Sequence, residues 1–350
     1  MRVVARRIQL TNSAGSPPAL DGQSTRRSVL TVYGPPEQAV DKPDGVPRTA
    51  ARVGLAGAGA TNADASRPSA PQIRNSKGGS DRIVMLTAYD APGARVADQA
   101  GVDMILVGDS VGMVVLGYEN TLQVTVDDMA HHTAAVARAH PKPMIVSDMP
   151  WMSYHTGTSD AVNNAARLVR SGAQAVKLEG GRRRLEVIDA ILDAEIPVMG
   201  HLGLTPQSVN ALGGFRVQAK DLDAVRRLID DALALEAAGC FAIVIEAVPD
   251  VVGQMVTEAV GVPTIGIGAG PCCDGQVLVY HDLLGMDSST PAKFVRRYAS
   301  LHCDAVEAVR SWASDVRRGA FPSDSESYHL ASSLDVRQAM APARTPVVQS

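Results

Sequence analysis

Aromatic residues are scarce, at 4% of the 350-residue chain, so Val, Ile, Leu, Met and Ala must fill the interior, a composition that suits buried parallel strands. Cysteine is sparse too. Cys240, Cys272, Cys273 and Cys303 show neither CxxC spacing nor a neighbouring histidine set, which argues against a zinc site. Buried, reduced thiols are expected instead, since adjacent Cys272 and Cys273 could bridge only through a strained ring. No stretch approaches the roughly 20 consecutive apolar residues of a bilayer span, and the N-terminus lacks the apolar segment of a secretory signal. Nor is there a basic excess: the formal net charge is -4, and the arginines are scattered rather than striped along one face. The expectation is a soluble cytoplasmic protein with no membrane or nucleic-acid partner.

What is present changes character near residue 80. Residues 1–80 are rich in Pro, Gly, Ser and Ala, carry Tyr33 as their only aromatic and show no sustained periodicity, so they read as a disordered extension. Arg2, Arg6 and Arg7 suggest an organelle transit peptide, but Asp21, Glu37, Asp41 and Asp44 in the same tract weaken it. From Arg82 onward, short apolar runs alternate with amphipathic stretches, the signature of repeated βα units. The runs lie at 83–88, 104–107, 144–147, 175–178, 198–200, 242–245, 264–267 and 277–280. Eight such runs predict an α/β fold of the (β/α)8 TIM-barrel type over 81–330, followed by a flexible tail at 331–350.

The ends of the runs carry more information than their number. A helix over 221–238 has Leu222, Val225, Leu228, Ile229, Ala232 and Leu235 on one face and stops at Gly239. The strand after it delivers Glu246. In the same way the second, third and fourth runs lead to Asp109, Asp148 and Glu179, and the fifth to His201. Barrel active sites are built at the C-terminal ends of the strands, where the βα loops converge. Position alone makes these five residues candidates.

Asp109, Asp148 and Glu179 offer hard oxygen ligands from three strands, a set suited to Mg²⁺; the competing reading for any one of them is a helix cap or a solvated loop. Lys177 precedes Glu179 by two residues, so both point into the barrel, either as a structural ion pair or to meet an anionic substrate. His201 is either a satisfied core histidine or a substrate-orienting group. Glu246 follows a strongly apolar strand, where desolvation would raise its pKa towards that of a general base, unless it belongs to the metal site. Ser110 is either a ligand for a substrate carboxylate or a helix N-cap. GIGAG at 266–270 lacks dinucleotide-fingerprint spacing and a ribose-binding acid, so a nicotinamide site is rejected.

Seven segments then become recognisable together: LTAYDAPGA at 86–94, VGDSVGM at 107–113, KLEGG at 177–181, GHLGLTPQSVN at 200–210, LGGFRVQ at 212–218, ALALEAAG at 232–239 and GIGAGPCCDGQVLV at 266–279. From about Arg82 to His329 the chain resembles the ketopantoate (3-methyl-2-oxobutanoate) hydroxymethyltransferase family. The resemblance implies a (β/α)8 barrel, Mg²⁺, methylenetetrahydrofolate as co-substrate and a homodecamer. It further implies Asp109 and Asp148 as direct metal ligands, which also meet substrate, and Glu179 near the metal through water. Ser110, Lys177 and His201 would bind the keto acid, with Glu246 the proposed base in a reaction through a metal-stabilised enolate.

The chain departs from the family pattern in the helix usually found before the first strand, unrecognisable at 71–81, at Ala219 in VQAK, and in FPSDSESYH at 321–329, where Glu326 replaces a usual histidine. Two rivals stand beside this reading. One is a metal-enolate lyase or mutase of the phosphoenolpyruvate mutase and isocitrate lyase type, although those generally carry a catalytic cysteine loop, and no cysteine here adjoins the strand-end carboxylates of the first five units. The other is a barrel that has lost catalysis and serves as a scaffold, against which the retained ionisable set argues.

Overall fold

The computed structural model describes residues 67–288 and 290–330. The expected extension through residue 66 and the tail at 331–350 lie outside the described residues. Eight parallel strands close into a barrel in sequence order: β1 Ile83–Thr87, β2 Met104–Val107, β3 Met144–Asp148, β4 Ala175–Glu179, β5 Val198–Gly203, β6 Ala242–Glu246, β7 Thr264–Ile267 and β8 Gly275–Leu278. Pairing of Ile83 with Gly275 and of Leu86 with Leu278 joins the first strand to the last. The last strand starts and stops two residues earlier than its apolar run predicts. Gly275 pairs beside β1 without presenting a side chain, and Val279 caps a helix at Tyr280–Leu284.

The continuous apolar runs conceal a strict alternation. Met144 and Val146 of β3, Ala175 of β4, Met199 of β5, and Ala242 and Val244 of β6 belong to the cluster that fills the barrel. The residues between them, Ile145, Val176, Leu178, Val198, Ile243 and Ile245, pack outward in the cluster shared with the helices. Extending the inward phase by one step places Asp148, Lys177, Glu179, His201 and Glu246 inside the barrel at its C-terminal end, because successive strand side chains face opposite sides.

The helix Leu222–Ala238 follows the predicted pattern closely. Asp221 caps it by accepting from the Ala224 amide at 2.8 Å, and Gly239 ends it at φ 106, a conformation that costs glycine little. Leu228, Ala232 and Leu235 are buried, but Leu222, in the first turn, is 75% exposed. Thiol burial is also only partly as expected: Cys240 and Cys273 are buried, whereas Cys303 is exposed on a helix, Leu301–Arg317, that buries no residue.

The boundary of the ordered body lies earlier than the composition suggests. A helix at Ala70–Arg74, within the tract read as disordered, inserts Ala70 and Ile73 into the barrel-filling cluster beside Ile83, Met85 and Met104. Lys77 Nζ pairs with Asp274 Oδ2 at 2.9 Å, and the Gly78 amide donates to Asp274 Oδ1 at 3.0 Å. Five helical residues are too few to reveal a period.

Of the departures from the family pattern, Glu326 closes a capping box, accepting from the Ser323 amide at 2.9 Å. Ala219 has the larger physical consequence. It is buried at φ 53, a left-handed backbone that costs a residue with a Cβ about 1–2 kcal/mol. Ala219→Gly is therefore expected to raise stability by about 0.5 kcal/mol, after allowance for the greater freedom of glycine in the unfolded chain. Urea unfolding monitored by circular dichroism checks this; a lower midpoint would contradict it.

Candidate active site

The inward-facing strand ends open into a cavity of about 600 Å³, including its mouth, lined at the base by Asp109, Asp148, Lys177, Glu179, His201 and Glu246. All six are buried, none more than 6% exposed. Registry explains their meeting: Asp148 pairs with Lys177 across β3 and β4, and Glu179 with His201 across β4 and β5. Apolar side chains, among them Met113, Phe215, Val244, Ile267 and Val277, line most of the rest, with the hydroxyls of Thr87, Ser110 and Thr121 between them.

Lys177 Nζ lies 2.9 Å from Asp148 Oδ1 and 3.1 Å from His201 Nδ1. The lysine therefore pairs with Asp148 rather than with Glu179 as the structural reading supposed. Burial by itself would lower the lysine pKa, but Asp148, Glu179 and Asp109 outweigh it and hold the value above the ordinary one. An ammonium beside Nδ1 requires that nitrogen to accept, so the imidazole proton sits on Nε2. Nε2 lies 3.1 Å from Glu246 Oε2, close but off the line of a well-directed hydrogen bond. Burial and the Lys177 charge lower the histidine pKa, keeping the ring neutral. Its Nδ1 is also 3.5 Å from Glu179 Oε1, farther than from the lysine.

The carboxylates differ in setting. Burial raises Glu246, against the opposing influence of the neighbouring His201. Glu179 is pushed up to about 8, mainly by burial, and Asp109 is raised well above its usual range by burial together with Asp148 and Glu179. Four acids around one ammonium leave the cavity short of positive charge. Asp148 Oδ1 is buried and makes no aligned hydrogen bond, its lysine neighbour notwithstanding. A divalent cation fits that donor chemistry.

The expected three-acid ligand set is not gathered as such, for among the described residues no group of three or more His, Cys, Asp or Glu side chains lies at metal-binding spacing. Mg²⁺ does not require one, since one or two carboxylates with waters and substrate oxygens suffice. Asp109 and Asp148 are adjacent, the Asp109 amide donating to Asp148 Oδ2 at 3.0 Å. Gly108 permits this approach: a Cβ there would stand 2.8 Å from Ser110 Oγ and 3.5 Å from Asp148 Oδ2. Ser110 makes no side-chain cap; its hydroxyl pairs with Tyr89 OH at 2.8 Å and faces the cavity, which removes the N-cap alternative.

Two residues that organise the site escaped sequence reasoning. Gln207 is 6% exposed. It donates through Nε2 to Asp109 Oδ2 at 2.8 Å and to the Met149 carbonyl at 2.9 Å, and its amide donates to Glu179 Oε2 at 3.0 Å. Tyr154 OH donates to Gln207 Oε1 at 2.6 Å and accepts from the Glu179 amide at 3.2 Å. One glutamine thus ties together acids from two strands. The available signal was LTPQSVN, a polar motif immediately after an apolar strand, together with a tyrosine in a chain poor in aromatics, whose hydroxyl needs a partner when buried.

Comparison with known proteins agrees with this geometry. The family model described as ketopantoate hydroxymethyltransferase matches residues 67–324. The chain is 53% identical to the 3-methyl-2-oxobutanoate hydroxymethyltransferase of Clostridium acetobutylicum over 263 residues, covering 75% of this chain and 95% of that one. It is 52% identical over 266 residues to the enzyme of the same name from Koribacter versatilis, covering 76% and 90%. With that of Ignicoccus hospitalis the identity is 57% over 244 residues, covering 70% and 92%. Through a barrel whose strand ends carry the expected ionisable set, and through these matches over most of each relative's length, the chain belongs to the ketopantoate hydroxymethyltransferase family.

Proposed function

We propose that the chain transfers a hydroxymethyl group from methylenetetrahydrofolate to 3-methyl-2-oxobutanoate, giving ketopantoate and tetrahydrofolate on the route to pantothenate. Family membership favours this reading over a lyase or mutase of related chemistry. The observation that carries it within the site is Glu246, a buried carboxylate of raised pKa set against a neutral His201 at 3.1 Å. An enzyme that must remove a proton from carbon beside a ketone needs such a base.

Asp109 and Asp148 would hold Mg²⁺, with Glu179 near it, and the ion would supply the positive charge that favours enolisation. The chain's own groups do the rest. Lys177 neutralises the anionic keto acid, and Ser110 receives it from the neighbouring loop. The apolar wall from Met113 to Ile267 takes the branched alkyl end. Glu246 takes the proton from C3, whose electron pair then forms the bond to the one-carbon unit; the bonds from that carbon to the folate nitrogens break and one water supplies the hydroxyl, so that tetrahydrofolate leaves, while His201 keeps its Nε2–H towards Glu246.

For assembly, the homodecamer reading draws support from Val309, Trp312 and Val316 on the helix Leu301–Arg317, each at least 45% exposed, since exposed apolar stripes of this kind mark association surfaces. For location, no helix among the described residues is long and apolar enough to cross a membrane, in keeping with a cytoplasmic enzyme. The functional reading is tested by incubating the protein with the keto acid, methylenetetrahydrofolate and Mg²⁺. Ketopantoate should accumulate and should cease to do so when EDTA is added; consumption of the keto acid by cleavage would favour the lyase instead.

A further inference from the structure

Among the described residues, five buried side-chain nitrogen or oxygen atoms lack a hydrogen-bond partner, and three of them, Asp148 Oδ1, His201 Nε2 and Thr121 Oγ1, belong to residues that line the catalytic cavity. The first two have charged neighbours, Lys177 and Glu246, at 2.9 and 3.1 Å. Thr121 has no such neighbour. It is 2% exposed and begins a short 3-10 turn, Thr121–Gln123, after β2. A threonine there commonly turns its hydroxyl back onto nearby backbone. Here Asn120 performs that task, its Oδ1 accepting from the Leu122 amide at 2.9 Å, and the Thr121 hydroxyl is left unused. A buried hydroxyl without a partner costs free energy that a ligand atom can recover.

We infer that Thr121 Oγ1 donates a hydrogen bond to the carboxylate of the keto acid, an inference that rests on the reading of the substrate given above. Thr121 lies on the same β2–β3 connection as Asp109 and Ser110, and all three line the cavity. A carboxylate has about four lone-pair sites, and with Lys177 Nζ already set against Asp148 and His201 the lysine and one serine cannot fill them all, so a hydroxyl at this point supplies a further donor without adding charge. Thr121 is thus a substrate-binding residue that helps select a 2-oxo acid over an apolar molecule of similar size.

The test uses the full chain, Thr121→Val and Thr121→Ser, with thermal unfolding and calorimetric titration of 3-methyl-2-oxobutanoate in the presence of Mg²⁺ and the absence of folate. Valine keeps the shape and removes the unpartnered oxygen, so the midpoint should stay level or rise, while Kd for the keto acid rises about tenfold, the equivalent of about 1.4 kcal/mol. Serine should restore most of the affinity. An unchanged Kd in Thr121→Val overturns the inference, and a lower midpoint beside it would make the hydroxyl structural. An unchanged Kd with a raised KM for methylenetetrahydrofolate overturns it too, by giving the hydroxyl to the co-substrate. If the parent itself binds no keto acid, the functional reading fails along with the inference, and the parent's own titration tells that case apart.

Discussion

Asp148→Ala is expected to abolish Mg²⁺-dependent turnover, a fall of about 10³-fold or more, with the fold retained. A metal site with few protein ligands cannot spare one, and the lost polarisation of the substrate amounts to several kcal/mol, each 1.4 of which is a factor of ten. The substitution also removes the oxygen 2.9 Å from Lys177 Nζ, leaving the ammonium to Glu179 and Asp109, which already bear on it. The barrel should survive, because Asp148 ends its strand and the packing below it is made by Met144 and Val146. Steady-state kinetics over a Mg²⁺ series, beside circular dichroism, provides the check. Parental activity in the variant would remove Asp148 from the metal site.

Glu246→Gln should separate proton removal from binding. Glutamine keeps the volume and the contact with His201 but cannot take a proton, so exchange of the C3 hydrogen of the keto acid with solvent should fall by about 10²–10⁴-fold, the usual contribution of a positioned base. Mg²⁺ and keto-acid affinity should persist. The pH dependence has a definite sign. Burial raises the Glu246 pKa above the ordinary glutamate value, so in the parent the carboxyl becomes protonated, and exchange falls, at a higher pH than an exposed glutamate would dictate. That acidic limb should vanish in the variant. If exchange continues at the parental rate while ketopantoate formation stops, Glu246 acts later, on the one-carbon unit. If Mg²⁺ binding is lost instead, Glu246 belongs with Asp109 and Asp148.

Much of this site was legible in the sequence because barrel geometry links two simple periods. A helix ending at Gly239, a short apolar run and then Glu246 together specify both the strand and the end at which its last side chain emerges. A leading glycine marks the runs to Asp109 and Glu179 in the same way, Asp148 and His201 follow from their strand ends alone, and the structure brings all of them into one cavity. Contacts that depend on which loop folds over which strand were not legible. Gln207 lies 98 residues from Asp109 in sequence, and no local pattern announces that its amide group will reach that carboxylate. The pairing of Lys177 with Asp148 rather than with Glu179 was hidden for a related reason: the intrastrand spacing of two is visible in the chain, whereas the register between β3 and β4 is not. The helix at Ala70–Arg74 was missed because its signal lies in Ile73 and a capping serine within a tract of small and polar residues.

The division of labour between the metal-binding acids and the base is tested most directly by proton NMR of 3-methyl-2-oxobutanoate incubated with the unmodified protein in D₂O, with Mg²⁺ and without folate. Loss of the C3 proton signal that requires both protein and Mg²⁺, with no ketopantoate formed until methylenetetrahydrofolate is added, is the predicted result. Retention of that signal under these conditions, while ketopantoate still forms once the folate is present, would contradict enolisation by Glu246 as a separate first step.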